Sequence, residues 1–177
     1  MYIWIGINVD DQLADIKPLI KAVEDKIGFE HSIFTLPFHV SLKISFEVSE
    51  NAAPNIISDI AKIYGDTSPF ELRVRGIEYE GNISWIRMIE NEEIMALATR
   101  LNLFLKEKYQ IPLHEYDLDF KFHTTLFMSD DGERVNKAYL SVKDTPVPRS
   151  LKVNRFLIGT SQCGELGTYK VIREITV

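Results

Sequence analysis

A single cysteine, Cys163, in 177 residues rules out an intrachain disulfide and a cysteine metal cluster. Although 45% of the residues are hydrophobic, no apolar run is long enough to span a bilayer, and nothing reads as a secretory leader. Positive charge is also scarce, with 20 Lys and Arg against 26 Asp and Glu and a net charge of −6. A protein that grips a long nucleic acid through many phosphates needs a basic footprint. Any nucleotide substrate is therefore expected to be small or held at one end. The chain is long enough for one well-buried domain, and the expectation is a soluble, cytoplasmic monomer with no membrane contact and no obligatory protein partner.

Against these absences stand two short runs, His39-Val40-Ser41-Leu42 and His123-Thr124-Thr125-Leu126. Each lies in an apolar/polar alternation that reads as a β-strand. Period-2 geometry puts His39 and Ser41 on one strand face, and His123 and Thr125 on one face of another. Val40, Leu42 and Ile44, with Thr124, Leu126 and Met128, are expected on the opposite faces. If the strands face each other, two acid/base groups and two hydroxyl donors meet, which suits metal-free cleavage of a phosphodiester. Zinc is the competing use of paired histidines, but no third ligand accompanies either run, so no metal or cofactor is expected.

The surrounding elements repeat once. A strand from Tyr2 to Asn8, a helix behind Asp10-Asp11, the first motif strand, a helix through Ile56 to Tyr64 and a strand from Phe70 to Tyr79 form one unit. A strand from Ile83 to Ile89, a helix from near Asn91, the second motif strand, a shorter helix around Val135 to Val142 and a strand from Leu151 to Gly159 form the next. Thr168 to Val177 reads as a last strand. Ile3-Trp4-Ile5 corresponds to Ser84-Trp85-Ile86. Repeat units of about 2–79 and 83–159 within a single domain, 1–177, predict two lobes related by a pseudo-two-fold axis that share one cleft.

These residues resemble the two-histidine (2H) phosphoesterase superfamily, in particular its RNA 2′,3′-cyclic phosphodiesterase and 2′-5′ RNA ligase branch. The resemblance covers nearly the whole chain, including Pro69 to Gly76 and the ending around Gly167-Thr168-Tyr169. It implies a bilobal α+β fold with antiparallel sheets lining a central cleft and helices outside. It also implies metal-independent chemistry on 2′,3′-cyclic phosphate ends of RNA or small nucleotides, or on 2′-5′ linkages, with His123 as base and His39 as acid. Alternatives are a 2′-5′ oligonucleotide or ADP-ribose cyclic phosphate substrate, and a module that binds nucleotide phosphate without turnover.

Family members often carry a basic residue after the second motif, where this chain has Phe127-Met128-Ser129-Asp130-Asp131. Lys43, counted onto the His39/Ser41 face, is the expected substitute for gripping phosphate, with Arg87 next. Trp4 and Trp85 are candidates for stacking on a base, weighed evenly against core packing. His114 with Glu115, Asp117 and Asp119 reads as a solvated acidic loop. His31 and Cys163 are read as non-functional, and Arg73, Arg75 and Arg155 are weighed evenly between holding phosphate and being surface charges.

Overall fold

The computed structural model describes residues 1–30, 32–118 and 120–177; the readings of His31 and Asp119 lie outside the described residues. Strand β1 (Tyr2–Asn8) buries Ile3, Ile5 and Ile7 completely. The helix expected behind Asp10 starts later, as a 3₁₀ segment over Asp10–Ile16 followed by α1 (Lys17–Ile27). Pro18 sets that boundary, since a residue without an N–H is tolerated in the first helical turn and not beyond it. Gly28 ends α1 in the left-handed region, with φ of 77°.

The first motif strand, β2 (His39–Glu47), leads to α2 (Ala53–Gly65), β3 (Phe70–Glu80) and β4 (Ile83–Ile89). Helix α3 (Glu92–Tyr109) is capped by Asn91, whose side chain accepts from the Ile94 amide at 3.0 Å. Its Ile94, Leu97, Leu101 and Leu105 face the core, each contributing about 1.5–3 kcal/mol on burial. Next come a one-turn helix α4 (Glu115–Leu118), the second motif strand β5 (His123–Met128), α5 (Gly132–Val142), β6 (Ser150–Val153), β7 (Arg155–Ser161) and β8 (Lys170–Thr176).

The eight strands form two four-stranded antiparallel sheets, ordered β2-β1-β7-β8 and β5-β4-β3-β6. The motif strands are the end strands of their sheets, and β2 lies against β5. This is the α+β, duplicated architecture expected, with one rearrangement. The segment read as a single strand from Leu151 to Gly159 breaks at Asn154, and its two pieces enter different sheets. Strand β3, which closes the first repeat, pairs with β4, and β7, which closes the second, pairs with β1. Each repeat thus completes the other's sheet, and neither lobe is a contiguous half of the chain. Among the described residues no helix is long and apolar enough to cross a membrane.

Candidate active site

Cross-strand register fixes which side chains reach the cleft. His39 sits opposite Asn8 and Ser41 opposite Gly6, while His123 sits opposite Arg87 and Thr125 opposite Trp85. The alternation then breaks in the same way in both lobes. Lys43 pairs with Ile5, one step from the Ser41/Gly6 pair, and Phe127 pairs with Ser84, one step from the Thr125/Trp85 pair. Each motif is therefore followed by a β-bulge, in which two residues oppose one and the face count slips by one. Leu42 with Lys43, and Leu126 with Phe127, turn inward and are buried. Ile44 and Met128, expected on the far face, line the cleft instead.

The cleft has a volume of about 720 Å³, and His39, Ser41, His123 and Thr125 all line it. The histidines are held alike. His39 Nδ1–H donates to the Pro37 carbonyl at 2.8 Å and His123 Nδ1–H to the Lys121 carbonyl at 2.5 Å, in each case two residues back along the chain. Those bonds fix the tautomer and leave Nε2 as the free basic nitrogen. Burial lowers the pKa of His39 from 6.5 to about 4; the Pro37 carbonyl opposes the shift, and the charge of His123 adds to it. Burial also lowers His123, against the Lys121 carbonyl and with help from the charges of Arg87 and Lys121. Two imidazoles that sense each other, each with a hydroxyl two residues on, can move protons on either side of one phosphate. Among the described residues no group of three or more His, Cys, Asp or Glu is placed to hold a metal ion.

Trp4 and Trp85 both face the cleft, but each is only 6% exposed, too little to stack on a base. They pack behind the imidazoles instead, with ring centroids 4.3 Å apart for Trp4 and His39 and 4.6 Å for Trp85 and His123. Lys43 does not take the expected role either. The bulge carries it inward to 2% exposure, where Nζ pairs with the fully buried Asp117 carboxylate at 2.5 Å and donates to the Pro112 carbonyl at 3.3 Å. Asp117 likewise departs from the solvated-loop reading. It accepts from the Ile44 and His114 amides at 3.1 and 2.8 Å, pinning α4 to β2. Arg87 shares a strand face with Trp85, but its guanidinium donates to the Phe122 carbonyl and pairs with Glu90, outside the cleft lining.

The residue that strand counting passed over is Lys121. It lines the cleft with its side chain 46% exposed, paired at 2.7 Å with Glu80, itself a lining residue. Among the described residues, Lys121 and the neutralised Lys43 are the only cationic Lys or Arg side chains in the lining. Its place two residues before His123 was the available signal.

No curated protein matches the sequence. Solved structures share the fold. TT0787 of Thermus thermophilus superposes with a TM-score of 0.62 at 19% identity, over 99% of this chain and 97% of that one. E. coli LigT, in a crystal structure complexed with NADP+, gives 0.60 at 15% identity over 99% and 96%. A protein described only as a phosphoesterase gives 0.55 at 13% identity over 99% and 97%. At these identities the likeness carries the fold alone, and the family follows from the sequence itself. The profile described as the 2′-5′ RNA ligase superfamily matches residues 10–162, a span that holds both motifs and most of both repeats, and the chain belongs to that superfamily of 2H phosphoesterases.

Proposed function

We propose that this protein is a metal-independent phosphodiesterase that opens 2′,3′-cyclic phosphate ends of RNA or small nucleotides, with 2′-5′ ligation as a side reaction in which an RNA 5′-hydroxyl takes the place of water. Membership in the superfamily supports action on phosphoester bonds as a phosphodiesterase or ligase. The observation that carries the finer reading is the matched pair of imidazoles, each tied through Nδ1 to its own strand, lining one cleft with Ser41 and Thr125. A cleft with so little free positive charge favours one phosphate on a nucleoside or an RNA end over a polyanion. A cytoplasmic location fits such a substrate.

In the reaction one imidazole takes a proton from water as the water oxygen bonds to phosphorus. The bond from phosphorus to one ribose oxygen breaks, and the other imidazole, protonated beforehand, gives its proton to that oxygen. Ser41 and Thr125 donate to the non-bridging oxygens as charge shifts onto them. In the order that the resemblance implies, His123 is the base and His39 the acid. Because burial disfavours charge on His39, that order requires the phosphate anion to hold the proton there.

The test is turnover of 2′,3′-cyclic AMP in EDTA by the wild type, His39→Ala and His123→Ala. Each substitution is expected to cost ~10²–10⁴-fold in kcat with the fold retained. Wild-type turnover that either folded variant preserves would overturn the assignment. Tight binding of the nucleotide with no turnover would make the protein a binding module.

A further inference from the structure

The two halves of the site are duplicated in motif but not in hydrogen bonding. Trp4 Nε1–H donates to Ser41 Oγ at 3.0 Å, whereas the indole nitrogen of Trp85 is buried with no partner among the described residues. The difference traces to two glycines. Trp4 lies across from Gly159 and two residues before Gly6, and a Cβ at either position would come within 2.8 Å of its ring. Such an approach is open only to a residue with no side chain. The matching positions around Trp85 are Glu78, across the sheet, and Arg87, two residues on. With side chains there, Trp85 adopts another pose, tilted 34° to its histidine where Trp4 stands at 69°.

A serine hydroxyl has one proton and two lone pairs. With a lone pair of Ser41 occupied by the indole N–H, and no acceptor for its own proton among the described residues, that proton is left for a group in the cleft. Thr125 has no such restraint. We propose that Trp4, seated over Gly6 and Gly159, is a positioning residue that fixes the Ser41 hydroxyl as a donor to the phosphoryl group, and that the second half lacks this device. The site is therefore built to hold phosphate in one sense, with Ser41 the pre-aimed donor. This inference rests on the reading of the cleft as a phosphoester site.

The test is a pair of double-mutant cycles, Trp4→Phe with Ser41→Ala and Trp85→Phe with Thr125→Ala, read as kcat and KM on 2′,3′-cyclic AMP and as affinity for inorganic phosphate by calorimetry. Trp4→Phe keeps an aromatic ring in the slot and removes the donor together with part of the indole's volume, a packing loss that the Ser41→Ala background measures separately. It is expected to lower kcat by about five- to tenfold with KM nearly unchanged, and to cost clearly less once Ser41 is Ala, where only the packing loss is left. The second pair should be additive. Additive behaviour of the first pair would overturn the proposal, because a purely packing role for Trp4 costs the same with or without the hydroxyl. If Trp4→Phe fails to fold, the indole N–H resonances decide. Ser41→Ala should shift that of Trp4 and leave that of Trp85 in place, and an unmoved Trp4 signal refutes the coupling. Wild-type turnover with no coupling removes this inference alone. Phosphate binding with coupling but no turnover removes the phosphodiesterase reading alone.

Discussion

Asp117→Asn is the sharpest perturbation of the framework around the cleft. It preserves side-chain volume and removes the charge facing Lys43, but it keeps one oxygen where Asp117 uses two, Oδ1 for the Ile44 amide and Oδ2 for the His114 amide and Lys43, so one of those amides loses its acceptor as well. Lys43, 2% exposed, then keeps a single carbonyl, that of Pro112 at 3.3 Å. Removing one member of a buried pair costs about 3–5 kcal/mol, because the other charge stays desolvated. With a urea dependence of roughly 2 kcal/mol per molar, the unfolding midpoint should fall by ~1.5–2.5 M. Lys43→Met should cost less, since Asp117 retains two backbone donors, and the double variant should be more stable than the sum of the single losses implies. The same variant separates two roles for the lysine. A phosphate-gripping Lys43 would lose ~10–100-fold in kcat/KM as Met, whereas a framework lysine should stay within about threefold. Unfolding of Asp117→Asn within about 1 kcal/mol of wild type would refute the buried-pair argument.

Burial depresses both histidines, and the active form carries one proton on the pair, so kcat/KM should peak below pH 6.5 and fall about tenfold per unit at higher pH; a flat profile up to pH 8 contradicts this. Lys121 and Glu80 are exposed partners whose ion pair is worth ~0–1 kcal/mol, so a substrate phosphate can recruit the lysine. Lys121→Gln should raise KM by roughly three- to tenfold in low salt. Glu80→Gln should lower KM, and only while Lys121 is present; equal effects of Glu80→Gln in both backgrounds would show simple charge repulsion.

The elements that strand and helix periodicity revealed are those whose pattern runs unbroken, such as β1 with its buried Ile3, Ile5 and Ile7. Both histidines and both hydroxyls were legible because they precede the bulges, where counting by two still holds. Lys43 and Ile44 follow a bulge, and a single inserted residue exchanges the faces of everything after it. Nothing in Leu42-Lys43 marks that insertion locally. It shows only in the register against β1, which is a tertiary fact. Asp117 was hidden for a related reason, since a carboxylate in a polar segment gives no sign that a buried lysine 74 positions earlier awaits it. The hairpin through Gly81 and Asn82 carries β3 into the second sheet, and the crossing of β7 into the first turns on Asn154, a one-residue break too short to register as a loop.

An empty cleft that keeps both imidazoles neutral has a consequence for the order of events. Acid/base cleavage needs one of them charged, and burial withholds that charge from His39 down to pH about 4. A phosphodiester entering between them brings a negative charge into the same poorly solvated space, which raises both pKa values and draws in a proton. Substrate binding and loading of the catalytic acid are then one event, and water alone meets an uncharged pair. A non-hydrolysable 2′,3′-cyclic phosphonate analogue, which carries one fixed charge, isolates this step. Near pH 6.5 its binding should take up a substantial fraction of one proton, read as a dependence of the calorimetric heat on the ionisation enthalpy of the buffer. Uptake should shrink in both His39→Ala and His123→Ala. Binding heats that do not depend on the buffer would show that the pair is already charged when empty, and that burial does not set its protonation.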